Sequence, residues 1–304
     1  MTCRFLRAFQ LKAFWKVGLL LAISLGFTAC GGLPHRSPDV STSASPSVPA
    51  RARVRQAECT LAGTRAVLDL DGTSVAVHSR LVGAANLANM LSVAALAFGL
   101  GVDAEAISAG LSGCLPVPGR MERVHAARGQ GAAAAAGGPA CFVDYAHTPD
   151  ALERSLRALA EHKASGRVLV VFGCGGDRDR GKRPIMGRLA AELADVVVLT
   201  SDNPRSEDPR AILEEVEDGI GARMPRRGAE ELAGPQVGGY LVEADRLVAI
   251  ETAIAIAHDD DVVLVAGKGH EDYQETAGVK RHFDDRQVVG ACLARRAPRG
   301  GRVR

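Results

Sequence analysis

Short apolar runs alternate with helical patterns through the second half of the chain. The apolar runs predict four buried β-strands and a weaker fifth, near Ala140–Val143, Val168–Phe172, Val196–Thr200, Val262–Ala266 and Gly239–Val242. The helical spacing of apolar residues predicts five helices, over Pro149–Lys163, Arg183–Leu193, Pro209–Ile220, Asp245–His258 and Arg286–Arg296. Because the strands are apolar at successive positions, helices must cover both faces of the sheet. The pattern therefore predicts an α/β fold with a Rossmann-like, doubly wound and mostly parallel sheet.

The segment before this sheet has a different pattern. Alternating apolar positions over Ala66–Val77, with Asp71-Gly72 between the two halves, predict a β-hairpin. Helices are predicted over Leu81–Leu100 and Asp103–Ser112, the second with Asp103 as its N-cap. Two prolines and a glycine within Leu115–Arg120 predict a hinge between this small unit and the larger domain.

The first 55 residues differ in composition from the rest of the chain. A basic stretch precedes the apolar run Val17–Phe27, which is shorter than the ~20 residues that span a bilayer. This layout is typical of a secretory signal, and it resembles a bacterial lipoprotein signal with Cys30 as the lipidated residue. A mis-assigned start or a fusion junction is the alternative. Gly31–Arg55 is rich in Ser, Pro and Arg and predicts a disordered linker. We expect a signal-like segment and linker over residues 1–55, a small unit over 56–117 and the main domain over 118–304.

The amino-acid composition argues against several classes of function. The formal net charge of +2 and the aromatic content of 4% favour neither nucleic-acid binding nor a charged membrane surface. The seven cysteines are scattered without CxxC spacing, so they indicate neither a zinc site nor a disulfide framework, and we expect reduced thiols in the cytoplasm. No metal site is predicted. Gly129–Gly138 is low in complexity and predicts an expanded loop.

Polar clusters follow two of the predicted strands at their carboxyl ends, where α/β sheets bind ligands. Gly176–Arg183 follows Val168–Phe172 and fits the pattern G-x-x-x-x-G-K, but Arg183 stands where a phosphate-binding loop needs Ser or Thr. Its two aspartates would also repel phosphate, so we reject a phosphate-binding loop here. We still favour anion binding by the basic residues of this segment over a solvated loop. Asp202-Asn203-Pro204-Arg205 follows the next strand and is a second candidate cluster.

Two further loops carry candidate chemistry. Thr148 and Pro149 are suited to the start of a helix, which explains them without function, whereas Asp144 and His147 are left as candidates at a strand end. A lone histidine is more often structural, but its position at a strand end leaves the role of His147 open on chemistry alone. Gly267–Glu271 follows the strand Val262–Ala266, and its two glycines allow close approach of a ligand to the backbone. A tight structural turn is the alternative, above all for Lys268.

Taken together, these motifs resemble the C-terminal part of the Mur ligases, within that family the ligases that add the third amino acid to UDP-N-acetylmuramoyl-L-alanyl-D-glutamate. The resemblance covers about Ala66 to Leu293. It rests on five motifs in family order: Gly119-Arg120-Met121-Glu122, Asp144–Pro149, Gly173–Pro184, Asp202-Asn203-Pro204-Arg205 and Gly267–Tyr273.

The resemblance implies an ATP-dependent, amide-forming ligase of peptidoglycan precursor synthesis, using Mg²⁺. ATP phosphorylates a carboxylate and an amine then attacks the acyl phosphate, so anionic states must be stabilised. By resemblance, the ATP-binding residues are Asn86, Arg120, Asp144 and His147. By resemblance, the pocket for meso-diaminopimelate consists of Arg178, Asp202, Asn203, Arg205, Gly267 and Glu271. An arginine suits the second carboxylate of diaminopimelate, because guanidinium binds carboxylates at two points. No catalytic residue is assigned.

The resemblance also implies a monomer in the cytoplasm, with UDP-muramoyl-dipeptide as the second substrate. The sequence departs from the family in lacking the UDP-sugar domain and the G-T-x-G-K-T loop, and Ala85 replaces a usual aromatic residue. We therefore expect this chain to be inactive alone. Two alternatives stay open: a non-catalytic module that binds diaminopimelate or nucleotide, and a lipoprotein anchored to the membrane through Cys30.

Overall fold

A computed structural model describes residues 52–126, 138–163 and 165–296 of the chain. The signal-like segment with Cys30 and most of the Gly129–Gly138 run lie outside the described residues. Within them, no helix combines the length and apolar character needed to cross a membrane. They form two compact units, and the division falls between Leu115 and Pro116.

The first unit is a three-stranded antiparallel sheet with two helices. Its strands run in the order β1 (Ala52–Thr60), β2 (Gly63–Leu70) and β3 (Thr73–Ser79), and the helices are α1 (Ala84–Gly99) and α2 (Ala104–Ser112). Asp71 and Gly72 form the predicted hairpin turn with positive φ values of 52° and 89°, which short hairpin turns require. Asp103 caps α2 as predicted, because its Oδ1 accepts from the backbone N–H of Ala106 at 2.8 Å.

Strand β1 corrects one part of the sequence analysis. Ala52–Arg55, predicted as the end of a disordered linker, already belong to β1. Arg53 and Arg55 both pair with the buried carboxylate of Asp69 on β2, at 2.8 and 3.1 Å. The hydrogen bond from Arg53 is the main reason that the pKa of Asp69 is lowered. A polar, arginine-rich stretch is typical of a linker, and its strand partner lies 16 residues away, where local pattern gives no signal.

The second unit confirms the predicted mostly parallel α/β fold. Its sheet has the order β4-β5-β9-β6-β7-β8, and only the edge strand β4 runs antiparallel to its neighbour. The strands are β4 (Glu122–Val124), β5 (Ala140–Asp144), β6 (Val168–Phe172), β7 (Val196–Leu199), β8 (Gly239–Val242) and β9 (Val262–Ala266). Strand β9 lies between β5 and β6, so the carboxyl ends of β5, β9, β6 and β7 are consecutive along one edge.

Helices cover both faces of this sheet. They are α3 (Pro149–His162), α4 (Lys182–Leu193), α5 (Pro209–Ile220), the short α6 (Ala229–Leu232), α7 (Arg246–Ile256) and α8 (Asp285–Arg295). Helices α7 and α8 share one apolar core with the strands, while α3 and α4 contact the sheet outside that core, with α5 packed on α4. A two-stranded hairpin, β10 (Tyr273–Thr276) and β11 (Val279–His282), was not predicted. It follows β9 and hydrogen-bonds to the backbone of Arg205, in the loop after β7.

Candidate functional site

Four loops meet at the carboxyl edge of the sheet, because the strands that they follow are neighbours. They are Asp144–Thr148, which begins with the last residue of β5, Gly267–Glu271 after β9, Gly173–Arg178 after β6 and Asp202–Arg205 after β7. All of the predicted site residues of the second unit except Arg120 lie on these loops. Asn86 lies in the first unit, near the start of α1, where its Nδ2 donates to the carbonyl of Val82 at 2.8 Å.

Lys268 occupies the centre of a buried polar cluster on this edge. Its side chain has no exposed surface, and its Nζ donates to Oδ1 of Asn203 at 2.9 Å. The same nitrogen lies 3.7 Å from Oδ1 of Asp202 and 3.6 Å from Oε2 of Glu271. Burial lowers the pKa of Lys268, and the two carboxylates oppose that effect. Sequence analysis left Lys268 as a turn residue, whereas the structure places it among three predicted site residues.

The amide of Asn203 is fixed by its partners. Its oxygen accepts from Lys268 and from the backbone N–H of Glu275 at 3.0 Å, so both lone pairs are used. Its Nδ2 donates to Oε2 of Glu271 at 2.9 Å. Asn203 therefore holds Glu271 in place, and in this arrangement its own oxygen has no free lone pair for a ligand.

Asp202 carries the free acceptor of the cluster. The residue is only 8% exposed, and its Oδ1 is buried without a hydrogen-bond partner. A buried acceptor without a donor is costly, so this atom is suited to an incoming N–H group. Gly267 faces it with φ of 118°, in the left-handed region, and a Cβ built there would lie 3.7 Å from Cγ of Asp202. Glycine at this position keeps the approach to Asp202 open.

Two arginines lie together on the other side of the site. A Cβ built on Gly175 would be 3.0 Å from Nη1 of Arg205 and 3.8 Å from Cγ of Arg178, so both side chains rest against this glycine. Nη1 of Arg205 donates to the carbonyl of Gly176 at 2.6 Å, and Nη1 of Arg178 donates to the carbonyl of Asp177 at 3.0 Å. These hydrogen bonds orient the guanidinium groups while leaving their charges uncompensated by the carbonyls.

The hairpin β10–β11 holds Arg205 from the backbone. Arg205 has φ of 54°, and its N–H donates to the carbonyl of Glu275 at 3.1 Å. The N–H of Ala277 donates back to the carbonyl of Arg205 at 2.6 Å. The hairpin therefore sets the direction from which the Arg205 side chain enters the site.

Arg183 is not a ligand-facing residue, contrary to the expectation for its segment. It is fully buried and makes two hydrogen bonds to Glu207, at 2.8 and 2.9 Å, and one to Glu215 at 2.9 Å. Glu207 also accepts from the N–H of Asp177 at 2.5 Å, which ties the loop after β6 to the loop after β7. The hydrogen bonds from Arg183 lower the pKa of Glu207 to about 2. The charge of Arg183 is thus used inside the protein.

Arg246 is a buried residue that hydrogen-bonds to the backbone at the carboxyl edge of the sheet. Its buried guanidinium binds both oxygens of Asp285, at 2.8 and 2.7 Å, and neither side chain is exposed. It also donates to the carbonyl of Ser201 at 3.3 Å and to that of Ala266 at 3.1 Å. Each of these carbonyls immediately precedes a site residue, Asp202 or Gly267. Sequence analysis missed Arg246 because it lies at the start of α7, distant in sequence from every motif.

The guanidinium of Arg120 lies against a cluster of rings centred on Tyr145. It lies 4.5 Å from the ring centroid of Tyr145, which in turn lies 4.5 Å from the ring of His147 and 5.1 Å from that of His270. Gly119 and Gly269 bring their loops together, because a Cβ on Gly119 would fall 2.1 Å from the carbonyl carbon of Gly269. An exposed planar cation beside aromatic rings is suited to a flat heterocycle or an anionic ligand.

Asp144 and His147 differ in the hydrogen bonds that they make within the protein. Asp144 accepts from the N–H of Met121 at 2.6 Å and from the hydroxyl of Ser155 at 3.1 Å, and burial raises its pKa. It therefore anchors the Met121 backbone. Nδ1 of His147 contacts the carbonyl of Tyr145 at 2.8 Å, and Lys182 donates to the carbonyl of His147 at 2.7 Å.

Over residues 52–126, 138–163 and 165–296, no group of three or more His, Cys, Asp or Glu side chains forms a metal-binding cluster.

Comparison with known proteins gives one consistent family. Residues 119–269 match the family described as Mur ligase, glutamate ligase domain. UDP-N-acetylmuramoyl-L-alanyl-D-glutamate–2,6-diaminopimelate ligase of Geobacter metallireducens is 44% identical over 266 residues, which are 87% of this chain and 50% of the relative. The enzyme of the same name from Chlorobaculum tepidum is 47% identical over 77% of this chain and 42% of the relative. The chain thus spans about half the length of the curated relatives it matches.

Solved structures agree with this assignment. A structure of UDP-N-acetylmuramoyl-L-alanyl-D-glutamate–2,6-diaminopimelate ligase is 35% identical, with a TM-score of 0.56 over 82% of this chain and 46% of that chain. Folylpolyglutamate synthase of Mycobacterium tuberculosis is 19% identical, with a TM-score of 0.52 over 82% of this chain and 49% of that chain. The second comparison supports the fold alone.

Proposed function

The chain contains the glutamate ligase domain of the Mur ligases, a family of ATP-dependent amide-forming ligases, and from this premise we propose that its carboxyl-edge pocket binds meso-diaminopimelate. The amino acid would be joined to UDP-N-acetylmuramoyl-L-alanyl-D-glutamate in peptidoglycan precursor synthesis. The two relatives from Geobacter metallireducens and Chlorobaculum tepidum, which are named for this pair of substrates, support the proposal.

One observation carries the proposal: the pocket has a cationic side and an acceptor side on adjacent loops. Arg205 and Arg178 lie together against Gly175, while the Oδ1 of Asp202, which accepts no hydrogen bond, and the carboxylate of Glu271 lie around Lys268. Diaminopimelate ends in a carboxylate and an ammonium on the same carbon, so it needs both kinds of partner close together. Lysine lacks that second carboxylate and would leave the guanidinium of Arg205 without an anion.

The residues around Arg120 are suited to the nucleotide. ATP would activate the dipeptide carboxylate by phosphorylation, and the rings of Tyr145 and His147 beside the exposed guanidinium of Arg120 would hold part of it. Asp144 contributes by fixing the backbone of Met121, next to Arg120. Mg²⁺ belongs to the same proposal at the level of the family, and no residue of this chain is assigned to it. Asn86 also stays a family-level prediction for ATP.

Calorimetric titration of meso-diaminopimelate and L-lysine into the 304-residue chain tests the proposal. We expect diaminopimelate to bind more tightly by roughly ten- to a hundredfold, because a charge-assisted pair contributes ~1.5–3 kcal/mol. Arg205→Ala should remove the preference, and Arg205→Lys should not restore it, since an ammonium cannot make the planar two-point contact. Arg210→Ala, at an exposed arginine of α5, is the matched control and should leave both affinities unchanged.

Equal affinities of the unmodified chain for the two amino acids would reject the specificity. Absence of binding by either amino acid would reject the pocket as an independent binding site.

A further inference from the structure

Lys268 has an unusual environment for a lysine: it is completely buried, and two carboxylates and an amide converge on its nitrogen. We propose that Lys268 is a positioning residue whose charge keeps Asp202 and Glu271 ionised side by side, so that the cluster receives one further ammonium group. The identity of that ammonium group rests on the proposed function. The compensation of the two carboxylates by Lys268 concerns the ligand-free protein and does not depend on that function.

The argument begins with the two negative charges. Asp202 and Glu271 each lie within 4 Å of the same lysine nitrogen, at 3.7 and 3.6 Å. Two carboxylates that share a buried site disfavour ionisation of both, and one takes up a proton when no cation is present. With Lys268 charged, one negative charge is neutralised and one remains. That balance suits a ligand that brings a single ammonium to the cluster.

Other charged groups near Lys268 do not replace it. Arg246 disfavours the charged form of Lys268, and Asp285 favours it. Arg246 also attracts Asp202 and Glu271, but its guanidinium is bound at two points by the buried carboxylate of Asp285. Tyr145 interacts with both carboxylates and hydrogen-bonds to Glu271, but desolvation and these negative charges raise the pKa of its hydroxyl, so it supplies no positive charge. The ring of Tyr273 lies 5.5 Å from Nζ and adds only a weak attraction. Lys268 is therefore the cation that faces Asp202 and Glu271 directly from within the cluster.

Packing alone does not account for a lysine here. Burial disfavours a charged amine, and an apolar side chain of similar length would fill the space without that cost. The Lys268 ammonium donates a hydrogen bond to the oxygen of Asn203, and the Nδ2 of Asn203 donates to Glu271 at 2.9 Å. Lys268 thus fixes the amide that fixes Glu271, in addition to balancing the charge.

The test compares thermal unfolding of the unmodified chain and of Lys268→Met at pH 5.5 and pH 8. In the variant, one of the two carboxyl groups should hold a proton in the folded state that it loses on unfolding. Because the folded state then binds more protons than the unfolded state, its stability falls as pH rises. The loss in melting temperature should therefore be larger at pH 8, by roughly 2–4 °C for a hundredfold difference in proton affinity between the folded and unfolded states in a domain of this size.

Two controls separate charge from packing. Lys182→Met removes a lysine that donates to a backbone carbonyl, so its effect should be the same at both pH values. Lys268→Met combined with Glu271→Gln removes one negative charge together with the positive one, so the extra loss at pH 8 should be smaller than in Lys268→Met alone. If Lys268→Met alone does not fold, folding of the double variant supports the inference, and failure of both to fold overturns it.

The outcomes distinguish this inference from the proposed function. An equal loss at both pH values would overturn the role of Lys268, whatever the chain binds. A pH-dependent loss without any binding of meso-diaminopimelate by the unmodified chain would reject the function and leave the charge balance standing. When diaminopimelate does bind, Lys268→Met should release a proton on binding at pH 5.5 that the unmodified chain does not, measured by calorimetry in two buffers.

Discussion

Replacing Arg246 by methionine tests how the carboxyl edge is supported. The substitution removes a guanidinium that makes two hydrogen bonds to the buried Asp285 and one each to the carbonyls of Ser201 and Ala266. Methionine fills most of the same volume, so the change removes charge and donors with little loss of packing. We expect it to destabilise the second unit and to loosen the backbone ahead of Asp202 and Gly267.

The loss of stability in Arg246→Met depends on the buried carboxylate of Asp285, which the substitution leaves without its partner. Removing one partner of a buried ion pair costs about 3–5 kcal/mol, because the remaining charge is buried without compensation. Replacing both partners with apolar residues removes that unpaired charge. Arg246→Met with Asp285→Leu should therefore be more stable than Arg246→Met alone by at least ~1 kcal/mol, although the two carbonyls still lack their donor.

Urea unfolding followed by tyrosine absorbance measures this directly. All three tyrosines of the chain, Tyr145, Tyr240 and Tyr273, lie in the second unit, so the signal follows that unit. Arg210→Met, at an exposed arginine of α5, is the control and should change stability by less than ~0.5 kcal/mol. A cost below ~1 kcal/mol for Arg246→Met, or a double variant no more stable than the single one, would refute the reasoning.

Two further predictions concern acid stability and ATP. Because the pKa of Glu207 is lowered to about 2 by Arg183, its contribution to stability should be present above the ordinary glutamate pKa and lost as pH falls towards 2. The difference in melting temperature between the unmodified chain and Glu207→Gln should therefore shrink between pH 5 and pH 2, and a constant difference would contradict this. The 304-residue chain contains no G-x-x-x-x-G-K-[ST] loop and is expected to release no phosphate from ATP with meso-diaminopimelate and UDP-muramoyl-dipeptide present. Sustained turnover on the order of 1 s⁻¹ in a coupled assay would show that expectation to be mistaken.

The regular part of the second unit could be predicted from apolar spacing. Strands β6 and β9 begin and end at the predicted residues, as does helix α5. Strand β4 and the hairpin β10–β11 could not, because they are short and carry few apolar residues, such as Val124 in β4. Their pairing depends on a neighbouring strand and not on their own pattern, and Ala52–Arg55 of β1 were mistaken for a linker for the same reason.

The location of the site was also predictable, since carboxyl strand ends of a parallel sheet meet at one edge. The internal contacts of the site were not. Lys268 stands between two glycines, which is typical of a turn, and only the fold shows that Asp202, Asn203 and Glu271 surround it. Tyr145 next to Asp144 likewise gave no signal until Arg120 was seen over its ring.

The basic residues of the edge show why charge density alone misleads. Sequence analysis treated the arginines of the segment after β6 as one anion-binding group. In the structure, both terminal nitrogens of Arg183 donate to carboxylates, those of Glu207 and Glu215, so its charge is neutralised within the fold. Arg178 and Arg205 instead donate to neutral backbone carbonyls, which orient a guanidinium without cancelling its charge. An arginine that donates to carbonyls still attracts an anion, whereas the charge of an arginine that is paired with carboxylates is already neutralised. This distinction supports the proposal that Arg205 and Arg178 bind the carboxylate of diaminopimelate.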